Sequence, residues 1–291
     1  MLPPQHLVED STFRPVTRSW LAHDLQAFGV QPDGVLMVHL RLSALRYVIG
    51  GVDAVVHALL DTIGPQGTLV AFTGWDGSPF QAPLLPAAWG AAYRASCPPF
   101  DPARSTARRD FGCFPERLRT WPGALRSTHP EVSFAALGPS AAWLIAGAGD
   151  TDDPWGTDGV LGRLVQADGQ VLLLGAPLNT LTLCHHAEAI ADVPGKRFHA
   201  YHMPVLVDGQ TRWQAYRTLD TFYGALPYWD DSRLEIDSAI ETLAQQAVRA
   251  DAGHSGVVAY APSWLFRAPQ AVDAARRWLE ATFGQRERSA A

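Results

Sequence analysis

Two side chains three residues apart, His185 and Glu188, form the best candidate in the sequence for acid–base chemistry. An imidazole titrates near neutral pH and can act as a general base, and a carboxylate on the same helical face can orient it. Asp192, four residues further on, is expected to continue the same polar stripe. The spacing alone is equally compatible with a buried polar pair that only helps a helix to pack.

The segment around this pair has the pattern of a strand, a loop and a helix. Val171–Leu174 is a short apolar run typical of a strand buried on both faces, and Gly175 ends it. Asn179 or Thr180 is expected to cap a helix over 181–192. The carboxyl end of such a strand is where an open α/β sheet binds its ligands.

Two neighbours of the pair are less promising. His186 lies about 100° around the helix from His185, which favours a structural or surface role. Cys184 is expected to be a buried, inert thiol. A metal site formed by His185, His186 and Glu188 stays open, but helical zinc ligands usually stand four residues apart and need a third ligand.

The rest of the chain predicts an α/β fold with a central, mostly parallel sheet and helices on both faces. A strand at 35–39, a helix at 52–63 and a strand at 68–73 form a βαβ unit. An antiparallel hairpin, 197–207 with 211–216, extends the C-terminal part. The irregular stretches 74–109 and 216–237 are expected to be long substrate loops.

The remaining predicted elements complete a single domain over 17–284, with an N-terminal extension at 1–16 and a frayed tail at 285–291. The expected helices cover 17–28, 112–120, 139–147, 160–167, 238–249 and 269–283, and the expected strands cover 132–137 and 256–261.

Composition narrows the class of protein. The 291 residues are 47% hydrophobic and carry a net charge of −6, which argues against nucleic acid and anionic membranes as partners. The three cysteines show no CxxC spacing, and neither a signal peptide nor an apolar run of 18 residues is visible. We expect a cytoplasmic protein without a membrane span.

Several segments, in order along most of the chain, resemble the aminoglycoside 3-N-acetyltransferases. The segments are Val38-His39 with the loop to Gly50-Gly51, Trp75-Asp76, Pro99–Pro102, Arg126-Ser-Thr-His-Pro130, Leu172–Arg197 and Gly256–Phe266. The resemblance implies acetyl transfer from acetyl-CoA, without a metal, to the 3-amino group of the 2-deoxystreptamine ring of aminoglycoside antibiotics, which confers resistance. It gives no oligomeric state.

The resemblance also implies roles for individual residues. His185 would be the general base. Glu188 on the same face is expected to orient the imidazole or instead to pair with an ammonium group of the substrate. Direct transfer is expected because no cysteine or serine accompanies His185 as a nucleophile in the motif. Thr182, Thr180 or backbone N–H groups of the 175–179 loop would hold the oxyanion. His129 is expected to be a structural loop residue.

Binding of the two substrates is expected to use the loops. The residues expected to contact CoA are Leu40, Arg41, Leu42, Ser43, Gly51, Arg126 and Ser127. Arg41, Arg46 and Gly159 stand where the family commonly has other residues, and each arginine could equally be a solvated surface charge. The cationic drug is expected to contact Trp75, Asp76, Asp192 and Asp220, with the acidic, aromatic stretch 223–235 nearby.

Three other functions remain compatible with the sequence. A relative of the same fold could acylate a different small-molecule amine. An aminoglycoside-binding protein without catalysis would need no base, and a metallohydrolase would need a metal.

Overall fold

The computed structural model describes residues 5–9, 12–146, 153–221, 225 and 239–284. Within them the strands are β1 (Val35–Leu40), β2 (Thr68–Phe72), β3 (Leu125–Arg126), β4 (Phe134–Leu137), β5 (Gln170–Leu174), β6 (Phe198–Val207), β7 (Gln210–Leu219), β8 (Gly253–Val258) and β9 (Ala261–Arg267). The α-helices are α1 (Gln5–Glu9), α2 (Arg18–Ala27), α3 (Gly51–Ile63), α4 (Ala87–Ser96), α5 (Cys113–Arg119), α6 (Ala141–Ile145), α7 (Val160–Gln166), α8 (Leu183–Ile190), α9 (Ala239–Arg249) and α10 (Ala268–Phe283).

The seven-stranded sheet has the order β3-β4-β2-β1-β5-β9-β8. Its centre, β2-β1-β5, is parallel, and the strands on either side of this centre are antiparallel. The predicted α/β fold with a parallel core is therefore confirmed. The sequence pattern gave one strand at 256–261, whereas the structure has two, β8 and β9, paired as a hairpin.

Helices cover both faces of the sheet, because side chains alternate along each buried strand. Leu36, Val38 and Leu172 pack with α2, α3 and α5 on one face. Met37, Val171 and Leu173 face the other way and pack with α6 to α10.

The two central strands lead into helices on opposite faces. β1 is followed by α3, and β5 is followed by α8. The chain therefore diverges at the carboxyl ends of β1 and β5 and opens a crevice there, as at the switch point of a doubly wound sheet.

The predicted antiparallel extension is confirmed as a separate two-stranded sheet, β6-β7. It is attached to the 74–112 segment at Phe100, whose N–H donates to Pro204 O (2.8 Å) and whose carbonyl accepts from Leu206 N (3.0 Å). The 74–112 segment is not entirely irregular, since it contains α4.

One residue of the predicted N-terminal extension packs with the rest of the described fold. Val16, assigned to an N-terminal extension, is completely buried and bridges to Val48. The predicted tail at 285–291 and the acidic, aromatic stretch at 223–235, except for residue 225, lie outside the described residues. No helix in the described part of the chain is long and apolar enough to cross a membrane.

Candidate active site

The segment from β5 to α8 turns tightly at Gly175. This residue has φ +69°, and a Cβ there would lie 2.4 Å from Cβ of Ala44. Only glycine allows the chain to leave β5 so close to the turn at residues 42–45. The helix then starts later than predicted, at Leu183, after a 3₁₀ turn over Leu178–Thr180.

The predicted cap of this helix is wrong. Thr182 occupies the N-cap position of α8 without a side-chain capping bond. The Thr180 hydroxyl instead donates to Pro177 O (2.7 Å) within the preceding turn. That turn separates Thr180 from the first N–H groups of the helix.

His185 and Glu188 contact each other as their spacing predicted. Nδ1 of His185 lies 2.8 Å from Oε2 of Glu188, whose side chain is only 3% exposed. An ionised carboxylate only accepts hydrogen bonds, so Nδ1 carries the proton and Nε2 of the neutral ring keeps its lone pair. Nε2 has no protein partner among the described residues.

His186 contacts His185 indirectly, through Trp155. Its Nδ1 donates to the carbonyl oxygen of Trp155 at 2.7 Å. The Trp155 ring in turn packs against His185, with centroids 4.9 Å apart. Burial lowers the pKa of His186, which keeps the ring neutral.

Cys184 is buried, and its thiol donates weakly to Ile240 O at 3.8 Å. Burial, with a smaller effect from the Glu188 charge, raises the pKa of Cys184 well above its ordinary value. The thiol is therefore not ionised at neutral pH and is a poor nucleophile.

A cavity of about 780 Å³ opens at the carboxyl ends of β1 and β5. Eight of the residues predicted to act in the site line it: Leu40, Arg41, Leu42, Ser43, Thr180, Thr182, His185 and Asp220. Glu188 lies behind His185. The loop that follows β1 and the helix that follows β5 thus meet at one cavity.

Three residues predicted to contact CoA lie elsewhere. Arg126 is buried, donates to the carbonyl oxygens of Gly74 and Ser105, and lies over the Phe100 ring. Burial lowers its pKa to about 9. The Ser127 hydroxyl accepts from Phe134 N (2.9 Å), and Gly51 opens α3 away from the cavity.

Three residues predicted to contact the drug are also outside the cavity lining. Trp75 is 4% exposed and packs against Phe100 beneath the β6-β7 hairpin. Asp76 pairs with Arg109 at 3.1 Å. Asp192 does not continue the stripe of Glu188, because the backbone of Ala191 is extended (ψ 137°) and ends the helix.

The cavity also contains residues that the sequence did not single out for the site. Glu131 is held by the Ser78 hydroxyl (2.5 Å) and by Arg108 (2.9 Å). Burial raises the pKa of its carboxyl group. Trp155, His199 and His39 line the cavity as well. No group of three or more His, Cys, Asp or Glu side chains in the described ranges could hold a metal ion.

Comparison with known proteins gives the family of the chain. A family model described as aminoglycoside 3-N-acetyltransferase matches residues 37–280. The chain belongs to this family. It is 46% identical over 273 residues to aminoglycoside N(3)-acetyltransferase VIII of Streptomyces fradiae, covering 93% of this chain and 94% of the relative.

Solved structures of aminoglycoside acetyltransferases agree with this assignment. AAC(3)-Xa is 44% identical with a TM-score of 0.85, covering 93% of this chain and 95% of its own. AAC-IIIb, solved as a binary complex with CoASH, is 38% identical with a TM-score of 0.84, covering 93% and 98%. The protein is an acyltransferase of the aminoglycoside 3-N-acetyltransferase family.

Acetyl transfer to an amine requires that the amine lose a proton and that an oxyanion be stabilised. The His185–Glu188 pair has the chemistry for the first task, because a lone pair on Nε2 is available at a partly buried position. The Thr182 hydroxyl lies in the same cavity but donates only a long bond, 3.4 Å, to Thr180 O. It could exchange this bond for one to an oxyanion at little cost.

Proposed function

We propose that this protein transfers the acetyl group of acetyl-CoA to the 3-amino group of the 2-deoxystreptamine ring of aminoglycosides, and so confers resistance to them. The observation that carries the proposal is the His185–Glu188 contact of 2.8 Å at the wall of the cavity. The membership of the family and the CoASH complex of AAC-IIIb support the choice of both substrates.

The proposed mechanism is direct attack of the amine on the thioester. Nε2 of His185 removes a proton from the amine, and the nitrogen bonds to the thioester carbon. Glu188 stabilises the imidazolium that forms, through the bond to Nδ1. The tetrahedral intermediate then expels the thiolate of CoA, which takes the proton from Nε2, so that an amide and free CoA leave the site.

Direct transfer is favoured over an acyl-enzyme because Cys184, the thiol next to His185, is buried with a raised pKa. An acyl-enzyme would also require the activated nucleophile to contact the base. No described residue makes a hydrogen bond to Nε2 of His185.

The two substrates are proposed to enter along different walls. Arg41 is exposed at the mouth of the cavity, beside Leu40, Leu42 and Ser43, and is suited to the phosphates of CoA. Asp220 and Glu131 supply carboxyl groups for the drug, and His199 with Phe80 forms an aromatic wall whose ring centroids are 5.1 Å apart.

The test is incubation with acetyl-CoA and gentamicin, kanamycin, neomycin or apramycin, with thiol release as the rate and NMR to locate the acetyl group. We expect acetylation of the 3-amino nitrogen and none with His185→Ala, whose drug binding remains measurable. A product acetylated on another nitrogen would refute the regiochemistry. Tight drug binding without product would indicate a sequestering protein, and turnover of other amines alone would indicate a different substrate.

Resistance needs a separate measurement. Expression in a susceptible bacterium is expected to raise the inhibitory concentration of each drug that is acetylated in solution. His185→Ala at equal expression is the matched control. Equal protection by both forms would show that binding, not acetylation, protects the cell.

A further inference from the structure

A second histidine in the cavity, His39, has no role in the mechanism so far. It is the fifth residue of β1, paired in register with Leu173 of β5, and it precedes the loop Leu40–Ser43 directly. His39 and His185 line the same cavity. The imidazole of His39 therefore stands at the strand end between the segment proposed to bind CoA and the proposed base.

Neither ring nitrogen of His39 makes a hydrogen bond to a described residue. Nε2 is fully buried without a partner, whereas Nδ1 is not enclosed. Burial lowers the pKa of His39 to about 4, so the ring is neutral at neutral pH and carries a single proton.

The position of that proton follows from the burial of Nε2. A buried N–H group without an acceptor is unfavourable and rare in native structures, more so than an unused acceptor. The proton therefore resides on Nδ1, and the bare lone pair of Nε2 faces the apolar interior. His39 then presents a neutral N–H donor to the cavity.

His39 and His185 are thus expected to present opposite groups to the same space. His185 offers a lone pair on Nε2, because Glu188 holds the proton on Nδ1. An acetyl transfer needs both: a base for the amine and a donor for the carbonyl oxygen. A neutral donor has the further advantage that it does not repel a cationic drug.

We propose that His39 is a catalytic residue, whose Nδ1–H donates a hydrogen bond to the thioester carbonyl oxygen and to the oxyanion formed from it. This inference rests on the proposed acetyl transfer. His39 transfers no proton: the carbonyl π electrons move to oxygen as the amine bonds to carbon, and return as the C–S bond breaks. A neutral imidazole is known to polarise a carbonyl in this way in other enzymes.

The tautomer can be measured without turnover, by ¹⁵N–¹H NMR of the histidine side chains with His39→Asn to assign the signals. We expect the Nδ1–H form at His39. His129 is the internal control: its Nε2 is also buried without a partner among the described residues, but its Nδ1 accepts from Val132 N (2.9 Å), and this bond requires the proton on Nε2. An Nε2–H form at His39 would overturn the proposal.

Binding of the carbonyl can be measured without a drug. The infrared band of acetyl-CoA labelled with ¹³C at the thioester carbonyl is expected to shift to lower frequency when bound. His39→Phe, which keeps a ring but has no donor, is expected to abolish the shift while the Kd of CoA, which lacks that oxygen, changes less than threefold. A shift that persists in His39→Phe would refute the contact.

The kinetic test compares two substitutions. His39→Phe is expected to lower kcat by about 10²–10³-fold, the usual effect of removing one oxyanion donor. His39→Asn, whose amide nitrogen can replace Nδ1, is expected to recover at least tenfold of this loss. A kcat of His39→Phe within threefold of the wild type, with both variants folded, would overturn the proposal.

These outcomes separate the two proposals. If the wild-type protein acetylates none of the drugs but binds acetyl-CoA with the infrared shift, the substrate proposal fails and the His39 contact stands. If the drugs are acetylated and the shift is absent, the function stands and the role of His39 falls.

Discussion

The bond between Nδ1 of His185 and Glu188 fixes what the imidazole can do. The carboxylate is almost completely buried, and it has the ring as a partner at 2.8 Å. A charge so placed is costly to leave alone, and in the proposed mechanism it favours the imidazolium that His185 forms on taking a proton. The negative charge is thus already in position before the proton is transferred.

Replacing Glu188 by Gln is expected to lower kcat by about 10²-fold or more. The amide can still contact Nδ1, but it carries no charge to stabilise the imidazolium, and its NH₂ group can select the wrong tautomer. Steady-state rates with CoA release measure this, and the KM for acetyl-CoA is expected to change little. A kcat within threefold of the wild type would show that Glu188 has only a packing role.

The residue scale is where the sequence was most informative and also most misleading. His185 and Glu188 lie within one helical turn, so spacing alone brought them together. The cavity is also lined by His39, Glu131 and Trp155, which come from separate segments of the chain. A local sequence pattern does not predict that such distant residues lie close together. Arg126 was a plausible anion ligand by type, but its donors are taken by backbone oxygens inside the fold.

At the scale of elements, the turn after β5 brings the loop that follows β1 close to the start of the segment that leads into α8. Gly175 contacts the turn at 42–45 so closely that its missing Cβ is part of the packing. The buried strands and the βαβ unit were predictable because apolar runs and glycine punctuation are local signals. The β8-β9 pairing was missed because residues 253–256 include exposed and polar positions, which weaken the apolar pattern.

Gly175→Ala tests this turn, with Gly209→Ala as the matched control. Both glycines have positive φ, +69° and +75°, but a Cβ at Gly209 would meet nothing within 4 Å. Gly209→Ala is expected to cost about 1–2 kcal/mol from backbone strain alone. Gly175→Ala is expected to cost about 1–3 kcal/mol more, because Ala44 must move.

Urea unfolding measures the two costs, and kcat reports whether the turn positions α8. The Gly175 variant is expected to lose activity as well as stability, whereas the Gly209 variant keeps its activity. Equal losses of stability in the two variants would mean that the contact with Ala44 contributes nothing.

At the scale of the whole molecule, the cavity is lined both by the main sheet and by a hairpin that forms a separate sheet. Val38, His39 and Leu40 of β1 line the cavity, but His199 and Thr218 belong to the β6-β7 hairpin, which pairs with no strand of the main sheet in the described part of the chain. Phe100 connects this hairpin to the 74–112 segment by two backbone bonds, and its ring lies under the buried guanidinium of Arg126. Phe100 and its cluster therefore help to attach the hairpin, together with contacts such as His129 with Tyr216.

Phe100→Ala is therefore expected to loosen the hairpin without unfolding the sheet. Phe100 is 1% exposed, and removal of a buried ring costs about 3–5 kcal/mol where the site cannot collapse. The hydrogen-exchange protection factors of the β6 and β7 amides are expected to fall by about tenfold or more, which corresponds to ~1.4 kcal/mol. Those of β1 and β5 are expected to stay unchanged. The KM for the drug is expected to rise by a larger factor than kcat falls. The reason is that His185 lies on α8, which packs against the main sheet.

Leu206→Ala is the control for this loss, since Leu206 lies on the same hairpin with its side chain 40% exposed and keeps its backbone bond to Phe100. It is expected to leave both exchange and KM near the wild-type values. If Phe100→Ala increased exchange equally in β1 and β5, the hairpin and the sheet would unfold as one cooperative unit. Substitutions in the β6-β7 hairpin, which is proposed to contact the drug, would then also destabilise the part of the sheet that carries His185. If the hairpin opens independently, such substitutions leave the sheet intact.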